Sequence, residues 1–189
     1  MNTKKLALSL ALVALCGAGT VAADVGAPND NTASSYGYAV GIVKTVLDNV
    51  SKYKSLHAAM DDGYVLLTGC VASENGGAMG VHYVRPDLVG DGKIDPATPE
   101  FLVYEPTRWG SMRLVAADYL VFKAAWEAEN GEGVAPIVQG QHFQLAGEPN
   151  RYAAPAFYLL HVWAFKHNRN GMFAMYNPDV SCEYYDPDA

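Results

Sequence analysis

The chain has 189 residues, of which half are hydrophobic, and its 13 basic and 20 acidic side chains give a formal net charge of −7. That length corresponds to about one domain, and that much apolar material excludes a wholly disordered chain. The acidic balance argues against nucleic acid as a partner, because contacts to phosphate need clustered Lys and Arg.

The first 23 residues have the pattern of a signal peptide. Two lysines are followed by an apolar run at residues 6–15 and then by small residues that end at Ala23. The apolar run is too short to span a bilayer, which takes about 20 residues. We therefore predict cleavage after Ala23 and export to the periplasm or the medium, leaving a soluble protein without a transmembrane segment. Lipoprotein processing at Cys16 is the alternative.

The segment after the predicted cleavage site divides into a leader and a helix. Residues 24–35 are rich in polar and turn-forming side chains, which predicts a flexible leader. Between Tyr36 and Met60, apolar residues recur every three or four positions with polar residues between them. This spacing predicts one long amphipathic helix. Asp61, Asp62 and Gly63 end it.

After this helix the apolar period changes to two, which is the period of β-strands. The predicted strands are residues 64–71, 78–84, 101–105, 113–122 and 157–165. Residues 123–129 predict a short helix, and residues 129–155 are mostly loop. Helices do not alternate with the strands, which argues against a parallel Rossmann-type sheet. We predict a single α+β domain over residues 36–189, in which the long N-terminal helix packs on a curved antiparallel sheet.

The cysteines indicate a disulfide. Cleavage would remove Cys16 and leave Cys70 and Cys182. Two cysteines of an exported protein usually pair, so we predict a Cys70–Cys182 bond. A disulfide between these two positions would stabilise the folded state by about 4–5 kcal/mol in the chain-entropy model, because it restricts the unfolded chain. A free catalytic thiol at Cys70 is the alternative, although no Cys-His motif surrounds it.

Four segments together resemble a known group of proteins. They are Gly77–Val84, Val103–Pro106, His161–Trp163 and Asn177–Cys182. The group consists of exported bacterial proteins that have no assigned activity, and the resemblance covers about residues 63–182. It implies a single exported domain and carries over neither a function nor a site residue.

Three polar residues in predicted strands are the candidate site: His82, Glu105 and His161. A polar residue flanked by apolar ones on a strand face suggests a buried group that needs a partner. Two imidazoles and a carboxylate suit a mononuclear Zn, Cu, Fe or Mn ion, so we predict a metal site formed by these residues. Without metal, the same three suit acid–base chemistry in a ligand cavity. Three unrelated residues are the remaining interpretation.

Other chemistry has little support in the sequence. The chain has no Gly-x-Ser-x-Gly, no phosphate-binding glycine loop and no His-Glu-x-x-His. Two interpretations of the function therefore lead. One is an exported protein that binds a metal ion or a small ligand in a sheet-lined pocket. The other is a metal-dependent or acid–base enzyme that uses the same His and Glu residues. An envelope interaction protein without a small-molecule site is a third.

Overall fold

The computed structural model describes the backbone of residues 30–188 and the side chains of residues 40–188. The predicted signal peptide and residues 24–29 of the predicted leader lie outside the described residues. Within the described range, no helix combines the length and apolar character needed to cross a bilayer.

The helical region before the sheet consists of three pieces. These are α1 (Asp30–Val50), a 3-10 turn (Ser51–Lys54) and α2 (Leu56–Asp61). Ser55 separates the last two, because its backbone is extended and its side chain accepts a hydrogen bond from the Ala58 N–H, which caps α2. The prediction of one continuous helix from Tyr36 to Met60 is therefore not supported. The apolar spacing continues across the break, so periodicity alone does not reveal it. α1 also includes residues 30–35, which the sequence assigns to the leader.

Eight strands follow the helical region. They are β1 (Val65–Ala72), β2 (Ala78–Val84), β3 (Phe101–Pro106), β4 (Met112–Phe122), β5 (Ile137–Val138), β6 (Gln141–His142), β7 (Gln144–Ala146) and β8 (Phe157–Val162). Six of them form one antiparallel sheet in the order β1-β2-β3-β4-β8-β7, and β5 pairs with β6 in a separate hairpin. Two short helices, α3 (Pro86–Val89) and α4 (Lys123–Asn130), follow β2 and β4. The α+β class is confirmed.

The sheet has apolar residues on both sides. On the side that we call the helix face, Leu102, Tyr104 and Val121 belong to the same buried cluster as Ile42 and Val46 of α1. On the opposite side, which we call the far face, Val103, Ala116 and Trp163 form a smaller cluster with Val180 of the C-terminal segment. Alternation along the strands places His82, Phe101, Asp118 and His161 on the far face.

The C-terminal segment is attached to the sheet at two points. Cys70 of β1 and Cys182 form a disulfide across 112 positions, which confirms the predicted pairing. Ala78 and Asn177 exchange backbone hydrogen bonds of 3.1 and 3.0 Å. Gly77 has a φ of +76°, and a Cβ there would lie 2.4 Å from the Asn177 carbonyl oxygen. Only glycine permits so close an approach of the two backbones.

Candidate functional site

The far face carries a cavity of about 360 Å³ beside the small Trp163 cluster. Its walls are mainly apolar and include Val84, Phe101, Leu120, Phe122, Phe157 and Leu159. Tyr152 and Ala154, from the loop between β7 and β8, also line the cavity. The volume falls within the roughly 300–1,000 Å³ that is usual for small-molecule pockets.

Three polar side chains meet at the wall of this pocket, and we call them the polar cluster: His82, Asp118 and His161. Asp118 of β4 lies directly opposite His161 of β8 in the sheet register. Its Oδ1 is 2.7 Å from His161 Nδ1, and its Oδ2 is 3.7 Å from His82 Nε2. The antiparallel pairing of β2, β3, β4 and β8 thus brings together residues that are far apart in the chain.

The contact between Asp118 and His161 is close but poorly directed. Despite the separation of 2.7 Å, neither Asp118 Oδ1 nor His161 Nδ1 has a hydrogen-bond partner of normal geometry among the described residues. Both atoms are buried. Since nearly all buried polar groups in proteins are hydrogen-bonded, this pair is an exception that needs an explanation.

His82 is held as a neutral imidazole. Its Nδ1 lies 3.3 Å from Thr68 Oγ1. With the hydroxyl as donor, the ring proton is on Nε2, which is the nitrogen that faces Asp118. Burial lowers the pKa of His82 to about 4, and this effect outweighs the attraction of the Asp118 charge, which raises that pKa. His82 therefore adds no positive charge to the site at neutral pH.

His161 is oriented by its aromatic neighbours. Its ring is stacked with that of Trp163, with centroids 6.3 Å apart and an angle of 14° between the planes. The His82 ring meets it edge-on at 6.4 Å. These contacts fix the plane of the His161 imidazole within the polar cluster.

Glu100 adjoins the pocket without adding charge to it. Its Oε2 accepts a hydrogen bond of 3.1 Å from the backbone N–H of Leu120, a lining residue. Burial raises the pKa of Glu100 to about 8. At neutral pH this carboxyl group is therefore protonated, and Asp118 is the acidic residue that lines the pocket.

Glu105 makes its hydrogen bonds with groups other than the two histidines. Its carboxylate accepts hydrogen bonds of 2.7 and 2.8 Å from Lys166 Nζ and one of 3.3 Å from the Ser181 N–H. The alternation of side chains along β3 predicts that Glu105 lies on the far face. It does not predict which residues of the neighbouring strands lie beside it. Phe101, four residues away on β3, is the residue opposite Asp118, and four residues of strand span roughly 13 Å. Asp118 takes the place that the sequence analysis gave to Glu105.

The metal site predicted from His82, Glu105 and His161 stays a prediction. Among the side chains of residues 40–188, no group of three or more His, Cys, Asp and Glu residues is arranged to hold a metal ion.

Asp118 is the site residue that the sequence analysis missed. It is a single carboxylate within the largely apolar β4 sequence, flanked by Ala117 and Tyr119. That is the same signal that selected Glu105 and His161. Applied to every predicted strand, it would have found Asp118 as well.

Comparison of the chain with protein-family models, with curated proteins and with solved structures finds no match. The site is therefore interpreted from its own geometry. Fold and site together define an α+β domain in which a buried carboxylate, flanked by two imidazoles, lies at the wall of an apolar pocket. Such an arrangement can hold a ligand by a donor group or accept a proton from it.

Proposed function

We propose that this protein binds a small, largely apolar organic ligand in the far-face pocket, with the polar cluster contacting the ligand's polar group. The observation that carries the proposal is the position of three buried polar side chains, His82, Asp118 and His161, at the wall of a mainly apolar cavity of about 360 Å³. An apolar lining with a few convergent polar groups is the usual composition of a ligand pocket, since the first gives affinity and the second gives orientation.

A purely structural role accounts poorly for the polar cluster. A buried polar atom without a partner costs about 1–3 kcal/mol. Glu105, a buried carboxylate on the same face, has Lys166 and a backbone N–H as partners. In the polar cluster, by contrast, the close contact between Asp118 Oδ1 and His161 Nδ1 lacks hydrogen-bond geometry, which favours a ligand site over a packing residue.

We also propose that the protein acts outside the cytoplasm, as a periplasmic or secreted protein. The signal-peptide pattern of residues 1–23 and the Cys70–Cys182 disulfide support this, because disulfides persist in oxidising compartments. The mass of the protein recovered from the exported fraction tests it. We expect the mass of residues 24–189, and recovery of full-length protein from the cytoplasm alone would contradict the proposal.

Calorimetric titration with 1-octanol tests ligand binding, because this probe combines an apolar body with one hydroxyl group. Leu159→Trp should fill the pocket from its own wall and weaken binding at least about tenfold, which is 1.4 kcal/mol. Leu145→Trp is the matched control, since Leu145 is an exposed leucine on the neighbouring strand. Equal loss of binding in both variants, or an absence of binding to the unmodified protein, would contradict the proposal.

A further inference from the structure

We infer that the polar group of the ligand is a cation, namely an organic ammonium whose positive charge contacts Asp118 while its apolar body fills the pocket. The inference rests on the proposed function and adds the chemical class of the ligand. It depends on a juxtaposition within the far face: a buried carboxylate whose close charged-group contacts are imidazoles, and not Lys or Arg, lines a cavity whose remaining lining is mostly apolar.

The two buried carboxylates of the far face differ in their partners. The side chains of Asp118 and Glu105 are 8% and 10% exposed, so both are largely removed from water. Glu105 is neutralised by Lys166 at 2.7 Å and lies 3.7 Å from Arg113. Asp118, in the described part of the chain, forms ion-pair contacts with imidazoles and none with Lys or Arg. Buried carboxylates in proteins are normally paired with a cation, which an organic ammonium would supply at Asp118.

The titratable side chains nearest to this carboxylate are two histidines. His82 is neutral, since burial holds its pKa near 4. His161 Nδ1 lies 2.7 Å from Asp118 Oδ1 but without hydrogen-bond geometry. Arg151, next to the lining residue Tyr152, lies over the Tyr152 ring at 5.6 Å and donates a hydrogen bond to the Tyr176 hydroxyl. Arg151 therefore makes its hydrogen bond with Tyr176, although its charge contributes to lowering the pKa of His82.

The rest of the pocket favours an organic cation over a metal ion or an anion. Side chains of residues 40–188 offer no three-ligand arrangement for a metal. An anionic group would be repelled by Asp118 in a medium of low dielectric constant. The aromatic lining residues Phe101, Phe122, Phe157 and Tyr152 suit an ammonium group, because a cation over an aromatic face is attracted by the ring quadrupole.

A series of probes that share one chain and differ in charge tests the inference. Octylammonium, 1-octanol and octanoate would be titrated into the full-length mature protein at pH 7 in a calorimeter. We expect octylammonium to bind at least about tenfold more tightly than 1-octanol, with octanoate weakest. In Asp118→Asn the preference for octylammonium over 1-octanol should fall to within about threefold. Asp87→Asn, an exposed carboxylate on α3, which also carries the lining residue Val89, should keep the full preference.

The possible outcomes separate the inference from the proposed function. If 1-octanol or octanoate binds the unmodified protein as tightly as octylammonium does, the cation inference is overturned while the pocket stands. If none of the three binds, the proposed function fails with it. Stoichiometric Zn²⁺ or Co²⁺ binding that is lost in His161→Ala, without a preference for octylammonium, would overturn the inference in favour of the metal prediction. The comparison within the unmodified protein remains decisive even if Asp118→Asn does not fold.

Discussion

The two faces of the sheet treat their buried polar groups differently. On the helix face, Tyr64, Tyr104 and Tyr119 donate their hydroxyl groups to backbone carbonyl oxygens at 2.6, 2.7 and 2.7 Å. On the far face, Asp118 Oδ1 and His161 Nδ1 have no partner of normal geometry. The helix face thus follows the rule that buried polar groups are satisfied, and the far face departs from it beside the pocket.

We interpret the buried tyrosines of the helix face as structural and the polar cluster of the far face as functional. The tyrosine hydroxyl groups hold the 3-10 turn and the loop before β3, and they need nothing from outside the protein. The unpaired atoms of the polar cluster lower stability, and such departures are expected where a protein has a functional site. Substitutions on the helix face should therefore lower the free energy of unfolding more than they weaken ligand binding. Substitutions in the polar cluster should weaken binding more than they lower the free energy of unfolding.

The largest loss of stability is expected on removal of the disulfide that attaches the C-terminal segment to the sheet. Replacing both Cys70 and Cys182 by Ser removes a cross-link across 112 positions. The free energy of unfolding should fall by up to about 4–5 kcal/mol, because the unfolded chain gains the freedom of an open loop. Urea denaturation measures it. A loss below about 1 kcal/mol would mean that the disulfide contributes little to holding the far face together.

The next effect is a loss of stability in mild acid, caused by His82. Because burial lowers the pKa of His82 from 6.5 to about 4, the unfolded chain binds more protons than the folded chain between these pH values. The contribution of neutral His82 is complete above about pH 6.5 and is lost as the pH falls through 4, by roughly 3 kcal/mol.

Denaturation of the unmodified protein and of His82→Asn across this pH range measures that contribution. The variant should show a smaller decrease in stability between pH 6.5 and 4, and His57→Asn, a change at an exposed histidine of α2, should match the unmodified protein. Parallel pH profiles for all three proteins would show that His82 does not titrate as a buried neutral group.

A tyrosine of the helix face should have an intermediate effect. Tyr104→Phe leaves the backbone carbonyl of Tyr53 without its donor, so we expect a loss of about 1–3 kcal/mol in the free energy of unfolding. Binding of 1-octanol should be unchanged, because Tyr104 belongs to the helix face. A Tyr104→Phe variant with unchanged stability and weakened 1-octanol binding would contradict the assignment of stability to the helix face and of binding to the far face.

The smallest stability effect is expected for Asp118→Asn. Removing a buried charge that has no Lys or Arg partner should change the free energy of unfolding by less than about 0.5 kcal/mol, or raise it. Thermal or urea denaturation at pH 7 measures this. A loss of more than about 2 kcal/mol would identify Asp118 as a structural partner of His161 and weaken the case for a ligand site.

The sequence predicts the sheet well because its strands are long and regularly patterned. β2 has the predicted bounds of residues 78–84, and β4 begins one residue before the predicted start. The break at Ser55 is not predicted, because it depends on one side-chain cap within an unbroken apolar pattern. β5, β6 and β7 have two or three residues each, which is too short for a period to be recognised.

The polar cluster is predicted only in part, for a related reason. The period of two along a strand determines the face on which a residue lies, and His82, Glu105 and His161 do lie on the far face. The position along the face depends on the register between strands, which includes a shift between Val103 and Tyr104 of β3. No local pattern in a single sequence encodes that register. The sequence therefore indicates Glu105 as the carboxylate of the site, whereas Asp118 is the carboxylate that contacts both histidines in the structure.

A crystal structure of the protein grown with a saturating amount of 1-octanol tests the central claim most directly. We expect the octyl chain between Phe101 and Phe157, with the hydroxyl oxygen within about 3.2 Å of an Asp118 carboxylate oxygen or of His82 Nε2. An empty far-face pocket with the probe bound elsewhere, or a hydroxyl group that points away from the polar cluster, would contradict the account.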